Sequence, residues 1–199
     1  MGFSHSWVAV QGLSPERALE ALGMEVSEVL APRDIPDWRR ITVMGQMKDD
    51  WLLVLSADAE DAFEGKLSRL TLLGPAIACS VYESVMFSEA RFYVGGEQSW
   101  RVAHDPEKEE SVGALEVTGS LPAELEAVIR KARAEQDAEG GEDADVDIMF
   151  DIPGDLSKLI CGYKPGDDER EGFRYSVLRK IGGEPAKKPG FLGRLFGRS

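Results

Sequence analysis

The chain has 199 residues and a mass of 21.8 kDa; 43% of its residues are hydrophobic and 30% charged, with 36 acidic against 23 basic side chains and a formal net charge of −13. This length suits one domain with a substantial core, with room for an appendage, and makes two domains a tight fit. An acidic body disfavours binding to nucleic-acid phosphates, which needs clustered Lys and Arg, and favours a basic protein as partner. The longest uncharged stretch, 70–82, is shorter than the roughly 20 residues of a membrane-spanning helix, so no transmembrane segment is expected.

Residues 6–11, SWVAVQ, read as a strand stopped by Gly12. Ser14 then suits a helix N-cap, with Pro15 at the first helical position, Glu16 near the positive end of the dipole, Ala18, Leu19 and Leu22 on the apolar side and Gly23 at the close. Residues 24–40, with Pro32, Pro36 and Trp38, read as an irregular connector, and 41–47 and 51–56 as two strands joined by Lys48-Asp49-Asp50. Phe63, Leu67, Leu70 and Thr71 stand at helical spacing, which predicts an amphipathic helix over 58–72 despite Gly65.

Residues 76–105 concentrate Val, Phe, Tyr and Trp in three strand-like runs and are expected to form the centre of the sheet. Ile77, Cys79 and Val81 alternate with Ala78, Ser80 and Tyr82, and Gly95-Gly96 marks a hairpin. A three-residue turn over 95–97 sets Phe92 opposite Trp100 and Ala90 opposite Val102, joining apolar side chains, so this register is preferred to a two-residue turn. It also sets Arg91 opposite Arg101, a pair that needs a nearby carboxylate such as Glu89 or an acidic partner.

Residues 114–118 read as the last strand of the main sheet, and 121–136 as a helix with Glu124 and Glu126 near its start and Arg130, Lys131 and Arg133 towards its end. Residues 135–151 hold eight acids and no Lys or Arg, predicting a linker that is at least partly mobile. A short helix at 156–161 and a late strand at 173–178 follow. The last 15 residues carry Lys187, Lys188, Arg194 and Arg198 without an acid, interleaved with Phe191, Leu192, Leu195 and Phe196. The expected architecture is a single α+β domain over 1–134, with a largely antiparallel sheet of about six or seven strands and three main helices chiefly on one face. An acidic linker and irregular C-terminal appendage would occupy 135–181, and a flexible basic and apolar tail 182–199.

No phosphate-cradling glycine loop and no metal-ligand spacing is present, so neither a cofactor nor a metal is expected. Cys79 and Cys161 lie in apolar surroundings and read as reduced core residues of a cytoplasmic protein. Asp143, Asp145 and Asp147 match the first, third and fifth positions of a calcium loop, but Ile148 and Gly154 occupy its glycine and bidentate-glutamate positions. His104-Asp105, with Cys79 or Ser80 on a neighbouring strand, is the one place where a nucleophile and a base could meet. Candidate partner-binding residues are Arg91 and Arg101, the acids Asp143, Asp145 and Asp147, and Phe191, Leu195 and Phe196 of the tail, which could meet a protein or a membrane surface. The composition and the lack of a catalytic set favour a cytoplasmic immunity-protein or antitoxin-like inhibitor of a basic partner. The alternative is a small enzyme or ligand-binding domain with a pocket near Cys79, His104 and Asp105.

Overall fold

Alternation along a strand sends successive side chains to opposite faces, so a strand buried at every position needs cover on both sides. The run 5–10 is of this kind: His5, Trp7 and Ala9 point one way, Ser6, Val8 and Val10 the other, and all six are buried. The computed structural model describes residues 4–31, 42–107, 115–165 and 174–182. Its strands are β1 (Ser4–Gln11), β2 (Met24–Val29), β3 (Thr42–Gln46), β4 (Trp51–Ser56), β5 (Ala76–Tyr82), β6 (Phe87–Val94), β7 (Glu97–His104), β8 (Glu116–Gly119) and β9 (Ser176–Lys180). Three α-helices accompany them, α1 (Pro15–Leu22), α2 (Ala123–Ala138) and α3 (Ile152–Cys161), and a 3-10 helix spans Lys66–Leu72. The strands form one antiparallel sheet in the order β2-β9-β3-β4-β1-β5-β6-β7-β8.

The α+β class and the antiparallel sheet stand, but among the described residues the sheet has nine strands rather than six or seven. The helices also divide between its faces. On the first face, Trp7, Leu53, Leu55, Ile77, Cys79, Trp100 and Val102 meet Leu125, Ile129 and Ala132 of α2 and Ile152, Leu156 and Cys161 of α3. On the second, Val8, Val10, Leu52, Val54 and Ala78 meet Ala18 and Leu22 of α1 and Leu67 and Leu70 of the 3-10 helix.

The connector expected over 24–40 begins with β2, an edge strand carrying Glu25, Ser27 and Glu28; residues 32–40 lie outside the described residues. Residues 58–65 are turns rather than α-helix, because the buried Asp61 carboxylate competes for the local backbone: Oδ1 accepts from the Lys66 amide at 3.3 Å and Oδ2 takes the Ser56 hydroxyl. The Leu67 and Leu70 spacing that suggested an α-helix serves the 3-10 turn equally well, since residues three apart eclipse there.

The hairpin register is the expected one, with Phe92 opposite Trp100 and Ala90 opposite Val102, but it is reached differently. Val94 pairs with Glu97 across a two-residue Gly95-Gly96 turn, both glycines at positive φ, and a bulge at Ser99 then shifts the register by one. Of the stretch assigned to linker and appendage, α3 packs in the first-face core and β9 is the second strand of the sheet. The acidic segment is tied down by Gln136, whose side-chain amide donates to the Gly141 and Val146 carbonyls at 3.0 Å each and accepts from the Ile148 amide at 2.8 Å. The tail from 183 lies outside the described residues. Among those residues no helix is long and apolar enough to cross a membrane.

Burial of His5, 8% exposed beside Trp7, lowers its pKa to about 4. Its folded-state pKa lies below the unfolded value near 6.5, so between those two values the unfolded chain binds the proton first and stability falls as pH falls. We expect about 2 kcal/mol of stability to be lost between pH 7 and pH 5, and urea denaturation of His5→Gln to show a flatter profile over that window.

Candidate functional site

The second face carries a polar row at one level of the sheet. Register aligns Thr42, Ser56, Ser6, Ser80 and Glu89 on successive strands β3, β4, β1, β5 and β6. The three serines hold the loop over 57–65: Ser6 donates to the Asp58 carbonyl at 2.6 Å, Ser80 to the Ala59 carbonyl at 2.7 Å, and Ser56 to the Asp61 carboxylate. Burial pushes the Asp61 carboxyl up, but its bonds from Lys66 and Ser56 outweigh this and the net shift is downwards. Lys66 Nζ closes on Asp61 Oδ2 at 2.8 Å.

Beside this loop lies a recess of about 220 Å³. Ser80, Glu89 and Arg91 form its floor, Phe63, Tyr82 and Phe87 its walls, and Glu60 and Glu64 its rim. Tyr82 and Phe87 meet edge to face at 5.9 Å, and the Arg91 guanidinium sits 4.0 Å over the Phe63 ring. Burial, then the charges of Glu60 and Asp58, raises the Tyr82 hydroxyl pKa.

Arg91 and Arg101 do stand opposite each other, and Glu89 is the carboxylate between them. Only 3% exposed, it accepts from Arg91 Nε at 2.7 Å and from Arg101 Nε on the same oxygen, while Arg101 also reaches Glu116 at 2.6 Å. Burial disfavours both guanidinium charges, yet these carboxylates more than offset it and both pKa values rise. Both arginines are therefore engaged with carboxylates of this chain.

On the first face, His104 is 1% exposed, and its Nε2 lies 2.8 Å from Asp147 of the acidic segment, under the Phe150 ring. Asp147 Oδ1 also accepts from the Met149 and Phe150 amides at 3.1 and 3.3 Å. Asp105 accepts from the Glu107 amide at 3.2 Å, closing the turn after β7. Register places His104 in the row of Ser88 and Val81, two strands from Cys79 and offset along the sheet, on the order of 12 Å between backbones. Burial pushes the Cys79 thiol well up, which keeps it protonated and unreactive. Cys161 lies in the same core and shares the Ser157 hydroxyl at 3.5 Å, to which Trp7 Nε1 also donates at 2.9 Å.

Asp143 and Asp145 are exposed while Asp147 turns inward, and no three metal-ligating side chains converge among the described residues. Phe191, Leu195 and Phe196 lie outside them. A larger cleft of about 440 Å³, lined by Val81, Glu83, Met86, Phe150, Asp151 and Lys164 among others, opens on the first face beside the His104 site. Burial raises the Asp151 carboxyl pKa there, and Lys164 Nζ bonds Asp155 at 2.7 Å. Sequence reading singled out neither cleft: their walls come from segments that only the sheet register aligns.

Glu89→Gln leaves two partly buried guanidiniums facing each other without the charge that separates them. A loss of about 3 kcal/mol in urea denaturation is expected, and a loss below about 0.5 kcal/mol would show that the triad adds nothing. Comparison of the chain with protein-family models, curated proteins and solved structures returned no match.

Proposed function

We propose that this chain is a non-enzymatic, cytoplasmic protein-binding protein, an immunity-protein or antitoxin-like inhibitor of a basic partner. One observation carries the reading: acids outnumber bases by 36 to 23, and several of the body's cations are engaged by its own carboxylates. Arg91 and Arg101 serve Glu89 and Glu116, Lys66 serves Asp61, Lys164 serves Asp155 and Arg179 serves Glu25. In a chain with 36 acids and 23 bases, such pairing leaves the surplus acid as an uncompensated field. Exposed Asp58, Glu60, Glu64, Asp143 and Asp145 contribute to it, and a field of this sign accelerates encounter with a cationic surface. The test is affinity capture from the native host with the full chain as bait. One basic protein, identified by mass spectrometry and recovered in stoichiometric amount, is expected, with retention falling about tenfold between roughly 50 and 500 mM salt. Finding no partner at physiological salt, in cells that express the neighbouring genes, overturns the proposal.

A second reading, a ligand-binding or enzymatic domain, draws support from the 440 Å³ cleft beside the buried His104 and Asp147. Its pocket is displaced from the Cys79 neighbourhood. A metabolite that raises the melting temperature of the wild-type chain, but not of a folded Lys164→Ala variant, would establish this reading over the first.

A further inference from the structure

We propose that the recess walled by Phe63, Tyr82 and Phe87 is a receptor for one cationic side chain, a lysine or arginine that the basic partner inserts. The inference rests on the partner-binding reading above and locates its anchor. Aromatic ring faces carry negative potential and attract a cation held within about 6 Å of the ring centroid. Three partly exposed rings surround this cavity, two exposed carboxylates, Glu60 and Glu64, stand at its rim, and the buried Glu89 carboxylate lies at its floor. The protein already uses the chemistry at this place, since its own Arg91 guanidinium lies 4.0 Å over the Phe63 ring. At about 220 Å³ the cavity accommodates the end of a Lys or Arg side chain, with the apolar stem against the rings and the head towards Glu60 and Glu64. An anionic ligand would face Glu60 and Glu64 at the rim, while at the floor Glu89 and Arg91 neutralise each other.

The recess is also built rather than incidental. Its loop wall is fixed by the Ser6 and Ser80 hydroxyls, and its strand wall by the pairing of Tyr82 with Phe87 and of Ser80 with Glu89. A side chain entering it meets preset groups, which reduces the ordering cost of binding.

The test uses the full chain, isotopically labelled, titrated with acetyl-Ala-Lys-Ala-amide, its arginine counterpart and its neutral norleucine counterpart. Saturable amide shifts confined to residues 59–64, 80–82 and 87–89 are expected with the lysine or arginine peptide and absent with norleucine. Tyr82→Ala should weaken binding about fivefold and Tyr82→Phe restore it, because the ring face and not the hydroxyl attracts the cation. The exposed pair Glu60→Gln/Glu64→Gln should weaken binding and flatten its salt dependence, while Glu124→Gln on α2, on the opposite face, should leave it unchanged. Shifts that norleucine reproduces, that fall elsewhere, or that are absent at millimolar peptide overturn the assignment. If a stoichiometric basic partner still binds Tyr82→Ala and Glu60→Gln/Glu64→Gln as it binds wild type, the recess assignment falls alone. If no basic partner binds wild type, the underlying reading falls with it.

Discussion

Three hydroxyls at one level of three adjacent strands govern the second face of this protein. A loop carbonyl pressed onto a sheet loses its water, and leaving it without a partner costs more than an ordinary hydrogen bond returns. Ser6 and Ser80 meet that demand for the Asp58 and Ala59 carbonyls, and Ser56 meets it for the Asp61 carboxylate, each bond contributing about 1 kcal/mol. With the loop over 57–65 seated, the 3-10 helix follows in a fixed place and sets Leu67 and Leu70 onto Val8, Val10 and Ala78. Ala62 enters the same core, and Phe63, partly exposed, turns to meet Arg91. Glu89 extends the row by one strand, so the hydrogen bonds that seat the loop and the charges that hold the hairpin form one continuous feature.

The other end of the sheet depends on a contact that spans most of the chain. Among the described residues β2 pairs only with β9, and β9 also reaches β3. Ser27 donates to the Val177 carbonyl at 3.1 Å, and Arg179 bonds Glu25 at 2.8 Å. Residues 24–29 therefore gain a sheet neighbour only after residues 176–180 have returned, a closure whose entropy grows slowly with loop length but delays formation of that edge. The division at 134 that composition suggested follows charge, whereas the fold follows burial: Ile152, Leu156 and Cys161 of α3 and Val177 of β9 all belong to the first-face core.

Legibility follows the range of the interaction that decides each element. Helix α1 was readable from Ser14, Pro15 and Gly23 because its cap bonds lie within the segment. The meander was readable because β5, β6 and β7 are consecutive and the apolar pairing of Phe92 with Trp100 selects one register. Strand β2 was not, since MEVSEV earns its place from a partner about 150 residues away and its outer positions stay wet. The segment over 58–72 was misread because apolar spacing cannot register a buried carboxylate that draws its own backbone into a turn. Arg91 and Arg101 were foreseen as a pair needing a carboxylate, and Glu89 is that carboxylate. The meeting of His104 with Asp147 carried no signal, because 42 residues, α2 among them, intervene.

Strand alternation separates the larger cleft from the aromatic recess. Val81 and Tyr82 are neighbours in sequence, yet Val81 lines the larger cleft on the α3 side and Tyr82 the aromatic recess on the loop side. The larger cleft has apolar walls and charges of both signs, Asp151, Glu83 and Lys164, which suits a small molecule bearing both. In the recess the exposed charges are Glu60 and Glu64, Arg91 being engaged by Glu89, so it has one electrostatic preference. An acidic body with surplus carboxylates favours a cation over an anion wherever rings and carboxylates converge. That convergence occurs at Tyr82, where the potential of Glu60 and Asp58 already acts on the hydroxyl, so the partner-binding reading and the local chemistry point to the same strand end.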